Sequence, residues 1–111
     1  MDIHVSQHGK AVVISIAGAI DALEVGRVST ILSTELKNGN TRLVADLARV
    51  DYMNSAGLRS FVQTLKECTR RGGDFRLAGL HPNIRKTLEI TGFVGLFKSY
   101  PDVAAAVASF T

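Results

Sequence analysis

The sequence contains no tryptophan, a single cysteine and two prolines, and no apolar run in it approaches membrane-spanning length. The lone Cys68 excludes an intramolecular disulfide and fits a cytosolic setting. It falls on the apolar period of a helical stretch, which predicts a buried, inert thiol. The first residues, Met1-Asp2-Ile3-His4-Val5, lack the charged-then-apolar pattern of a signal peptide. No internal repeat, linker or low-complexity segment interrupts the 111 residues. A single domain, 1–111, in the cytoplasm is therefore expected. A chain of this length buries roughly 65% of its unfolded surface and needs no metal or disulfide staple.

The chemical motifs of several function classes are missing too. The formal charge is +3 and the pI about 9.4. Yet Lys10, Arg27, Lys37, Arg42, Arg59, Lys66, Arg76 and Lys98 are scattered, and only Arg70-Arg71 and Arg85-Lys86 stand side by side. Without a basic stripe and interleaved aromatics, no direct nucleic-acid partner is expected. An acidic protein partner fits the same charge. Gly9, Gly18 and Gly39 stand singly and Gly72-Gly73 ends a helical pattern, so there is no phosphate-cradling loop and no cofactor is expected. His4, His8 and His81 have no triad or metal spacing. A Gly-x-Ser-x-Gly elbow fails at Met53, two residues before Ser55. No catalytic residue and no metal ligand are assigned, and an enzyme is not expected.

What is present alternates between two periods. Ile3–Ser6 and the β-branched run Ala11–Ala17 predict a hairpin turning near Gly9-Lys10. Asp21 precedes a helical pattern carried by Leu23, Val28, Ile31, Leu32 and Leu36, and is a good N-cap for it. Arg42–Leu47 is a nearly continuous apolar run, as in a central strand covered on both faces. The clearest helix follows, with Leu58, Phe61, Val62, Leu65 and Cys68 on one stripe. Phe75–Gly79 predicts a strand, and Pro82 opens a helix with Ile84, Leu88 and Ile90 toward the core. A short edge strand is expected near Phe97-Lys98-Ser99, and Pro101-Asp102 opens a last helix bearing Val103, Val107 and Phe110. The sum is an α/β fold, a mixed four- to five-stranded sheet with about four helices packed mainly on one face.

The focus is the polar corner Asn54-Ser55-Ala56-Gly57, where a strand feeds straight into a helix. A hydroxyl there sits at a helix N-terminus, where unpaired N–H groups and the positive end of the dipole favour added negative charge. Unmodified, the corner is expected to offer Met53, Leu58, Ser55, Ala56 and Gly57 as a flat, partly apolar contact surface.

Three segments resemble the STAS domain shared by bacterial anti-sigma factor antagonists and the cytoplasmic tails of sulphate transporters. They are Gly18-Ala19-Ile20-Asp21, Val44-Ala45-Asp46-Leu47 and Tyr52-Met53-Asn54-Ser55-Ala56-Gly57-Leu58. The resemblance implies an antagonist that, unphosphorylated, binds an anti-sigma factor with serine kinase activity and so releases a sigma factor. Ser55 matches the serine that this kinase phosphorylates and a serine phosphatase restores. Asp21 matches an acidic residue at the rim of the loop. Asn54 stands where the regulated antagonists usually carry Asp. The implied partner contacts are Asp21, Ala22, Tyr52, Met53, Asn54, Ser55, Gly57, Leu58 and Arg59, with no membrane contact. The alternative within the same family is a scaffold or transporter-associated subunit that uses this surface as a permanent docking site, without a switch.

Overall fold

The predicted hairpin forms from β1 (Asp2–His8) and β2 (Ala11–Ala17) in the computed structural model, which describes residues 1–110. Thr111, the last residue of the expected domain, lies outside the described residues. The chain continues through α1 (Val25–Lys37), β3 (Arg42–Arg49), α2 (Ser55–Arg70), β4 (Asp74–Ala78), α3 (Pro82–Thr91), β5 (Ser99–Tyr100) and α4 (Val103–Ala108). The sheet order is β1-β2-β3-β4-β5. β1 runs antiparallel to β2, and every later pairing is parallel because a helix returns the chain each time.

Alternation along the strands sorts their side chains onto two faces. Val12, Ile14, Ile16, Leu43, Ala45, Leu47, Phe75 and Leu77 share a core with buried residues of α1, α2 and α3. At its centre Phe61 of α2 meets Phe75 edge-on at 5.2 Å between ring centroids. Ala11, Val13, Val44 and Ala78 face the other way, against Val103, Ala106 and Val107 of α4 and Phe110 just after it. Helices thus cover both faces of the central strands, which explains their unbroken apolar run. Cys68 is buried in the larger core, and its thiol is pushed up to about 11, first by burial and then by the Asp74 carboxylate.

Three local expectations are corrected. Leu23 does not join the apolar stripe of α1; it lies in the turn before the helix and is 91% exposed. Ile90 is 75% exposed, because it follows Leu88 by two residues, about 200° around the helix axis. The edge strand is Ser99–Tyr100 rather than Phe97–Ser99, and Phe97 packs inward instead. No described helix is long and apolar enough to cross a membrane.

Candidate functional site

The carboxyl ends of β2 and β3 are held together past the end of the ladder. After a register shift between Ser15 and Ala17, the Gly18 N–H donates to the Arg49 carbonyl (3.0 Å). Ile20 and Met53 then form an isolated parallel bridge. The Ile20 N–H donates to the Tyr52 carbonyl and the Asn54 N–H to the Ile20 carbonyl, both at 2.9 Å. The residues that follow, Asp21 and Asn54, therefore leave the bridge side by side, and each starts a helical turn.

The two starts are capped differently. The Asp21 Oδ1 accepts the N–H groups of Leu23 and Glu24, both at 3.1 Å, and so caps the turn before α1, whose own N-cap position is Glu24 rather than the expected Asp21. Asn54 is the N-cap of α2, with its Oδ1 accepting the Gly57 N–H at 2.8 Å. Such a cap stabilises a helix by about 1 kcal/mol. Because Asn54 makes it, the exposed Ser55 takes the first helical position with its side chain outside the cap. No acidic residue lies in the first turn of α2, so the helix itself supplies no carboxylate to the positive end of its dipole.

Beneath Ser55 the packing is tight. A Cβ at Gly57 would stand 2.8 Å from Met53 Cγ and 2.9 Å from Ile20 Cγ2. Only glycine lets the first turn of α2 settle onto the bridge at this height. Among the described residues, no group of three metal-ligating side chains converges here or elsewhere.

A family model for the STAS domain matches residues 2–106. The chain belongs to the STAS domain family. It is 32% identical over 93 residues to BtrV of Bordetella bronchiseptica, a candidate anti-sigma factor antagonist, covering 84% of this chain and 80% of that one. It is 27% identical over 96 residues to the anti-sigma-B factor antagonist of Staphylococcus aureus, covering 86% of this chain and 89% of that one. The fold is shared with the anti-sigma factor antagonist SpoIIAA in its unphosphorylated form, at a TM-score of 0.84 and 19% identity over 98% of this chain and 96% of that one. It is shared as well with the Bacillus cell fate determinant SpoIIAA in its phosphorylated form, at 0.78 and 20% identity over 99% of this chain and 100% of that one.

In this STAS domain the nine expected contact residues separate into two layers. Ala22, Tyr52, Ser55 and Arg59 are exposed, with Asp21 and Asn54 half-buried between them. Met53, Gly57 and Leu58 are buried, which corrects the expectation that they form contact surface. Met53 alternates inward from Tyr52 at the bridge, and Leu58 begins the stripe that α2 turns to the core. They support the site from below. Leu23 replaces them at the surface, beside the Asp21 cap, with Tyr52 (51% exposed) as the other apolar element of this end. The missed signal was periodic: Leu23 precedes Val28 by five residues, about 140° off the stripe.

Proposed function

We propose that this protein is an anti-sigma factor antagonist that works in the cytoplasm as a binding protein rather than an enzyme. Unphosphorylated, it docks on an anti-sigma factor with serine kinase activity, and a sigma factor is released. The observation that carries this reading is Ser55: an exposed hydroxyl at the first position of α2, outside the cap, above a rigid glycine contact. The names of the two relatives and the occurrence of SpoIIAA in both phosphorylation states support it.

The switch is electrostatic. The Ser55 oxygen attacks the γ-phosphorus of the kinase's ATP, ADP leaves, and the serine proton passes to a base of the kinase. The product carries about −1.5 to −2 charges and three acceptor oxygens. Its own domain tolerates it, because the α2 N-terminus favours negative charge by about 0.3–1 kcal/mol. A docked partner must bury that dianion instead. A loss of about 3–4 kcal/mol lowers affinity several-hundred-fold, enough for release. A serine phosphatase resets the surface. Leu23 and Tyr52 supply the apolar anchors, and their burial by the partner supports affinity in the unmodified state.

A second reading, permanent docking without a switch, is favoured by Asn54, whose side chain caps α2 as a neutral amide where a carboxylate would add charge. Two measurements separate the readings. Mass spectrometry of the protein purified from its native cells should find phosphate on Ser55, and Ser55→Ala should abolish it. Ser55→Asp should keep the circular dichroism spectrum and weaken binding of the cognate anti-sigma factor by about tenfold or more. Unchanged binding, with no phosphate on Ser55, would establish the permanent surface.

A further inference from the structure

Six of the thirteen cations scattered along the sequence are gathered by the fold at the end of the molecule opposite Ser55. α2 carries the chain about 22 Å from Ser55 to Arg70. There the Arg71 Nη1 donates to the Leu36 carbonyl (2.8 Å), tying the C-terminal ends of α2 and α1 together. Two adjoining cavities open at this end. A groove of about 690 Å³ between α2 and the β4–β5 edge is lined by Lys66, Arg70, Arg76 and Lys98. Its neighbour, of about 340 Å³, adds Lys10 and Arg42. Asp74 is the single carboxylate on either wall.

Asp74 is already engaged. Its Oδ2 lies 2.9 Å from Arg76 Nε and 3.9 Å from Lys98 Nζ. Arg76 also donates to the Ser109 carbonyl (2.8 Å) and lies 4.1 Å over the Phe110 ring, so it belongs to the framework. Arg70 shares Glu67 with Arg71. Among the described residues, Lys10, Arg42 and Lys66 enter no ion pair. Six cations against two paired carboxylates, Asp74 and Glu67, make a surface that attracts acidic groups.

The groove runs past the end of β5. β5 covers only Leu77 and Ala78 of β4, with the Leu77 N–H donating to the Lys98 carbonyl (2.9 Å). Two residues earlier, the Phe75 N–H is met by the Asp74 Oδ1 at 2.9 Å and Phe75 is fully buried, so the groove presents side chains rather than a free strand edge. Leu65 and Leu96 give the floor apolar patches between the cations.

We propose that this groove is a second docking surface, which takes an acidic segment of a partner protein past the end of β5. Acidic side chains of such a segment meet the cations, and its apolar side chains meet Leu65 and Leu96 on the floor. A nucleic acid fits less well, because the one ring on the walls, Phe110, lies under the Arg76 guanidinium and offers no face for base stacking. Ser55 is almost three Debye lengths away at physiological ionic strength, about 8 Å each. A partner held here stays bound when charge appears at the corner.

The test uses the full chain and a fluorescein-labelled decapeptide alternating Glu and Val, followed by fluorescence anisotropy at about 0.15 M ionic strength. Lys66→Glu with Lys98→Glu should weaken binding by about tenfold or more, with the circular dichroism spectrum retained because both side chains are exposed. The same charge change on α3, Arg85→Glu with Lys86→Glu, should alter it less than about twofold, and Ser55→Asp not at all. Absence of binding, equal losses from both double variants, or tighter binding of single-stranded DNA or phosphatidylserine vesicles through Lys66 and Lys98 would each overturn the proposal. None of these outcomes bears on whether Ser55 is phosphorylated.

Discussion

At its first turn α2 rests Gly57 on the side chains of Met53 and Ile20, whereas just past its last turn Gly73 rests on backbone, where a Cβ would lie 1.9 Å from the Thr41 carbonyl oxygen. Each contact sets the height of one helix end above the sheet. The end with the softer seat presents one exposed hydroxyl at the helix start; the end with the harder seat carries long cations. A site that must place a single oxygen precisely in space needs a defined backbone beneath it, and Met53 and Ile20 supply that. A site that works by charge density needs only enough cations nearby, and tolerates their mobility.

Substitutions at the two seats test that contrast directly. Gly73→Ala should be the most damaging, about 3 kcal/mol or more by urea unfolding, because the start of β3 has to move. Gly57→Ala should cost about 1–2 kcal/mol, since Met53 can change rotamer to make room. If the two losses were equal, the difference between side-chain and backbone seats would carry no weight. Asn54→Ala removes the cap and should cost about 1 kcal/mol, while Asn54→Asp should keep the cap and gain a few tenths from the dipole. The smallest effect belongs to the basic end. Hydrogen bonds from Arg70 and Arg71 hold the Glu67 carboxyl down to about 2 from its ordinary 4.5. Its stabilising contribution is complete above pH 4.5 and is lost as pH falls from there toward 2. Wild type and Glu67→Gln should therefore differ slightly in thermal midpoint at neutral pH and converge near pH 2, the pair being exposed and solvent-screened.

Most of the architecture was legible because period and punctuation agreed. Asn54 and Gly57 bracket a turn that only one geometry satisfies, and Leu58, Phe61, Leu65 and Cys68 mark one helix face without conflict. The site was legible in position but not in depth. Strand alternation at the Ile20–Met53 bridge decides that Tyr52 is outside and Met53 inside, and that bridge joins residues far apart in the chain. Leu23 escaped because an apolar residue beside a helix start is ordinarily counted with the core. The basic end was invisible for the same reason as the bridge: Lys10, Arg42, Lys66 and Lys98 have no common spacing, and only the return of each strand and helix brings them together.

The sealed thiol of Cys68 makes the molecule its own gauge of opening. It is the only sulfhydryl in the chain, stays protonated at neutral pH and has no path to solvent while α2 lies on the sheet. An alkylating reagent can reach it only when that helix lifts, so the labelling rate counts such excursions without any engineered probe.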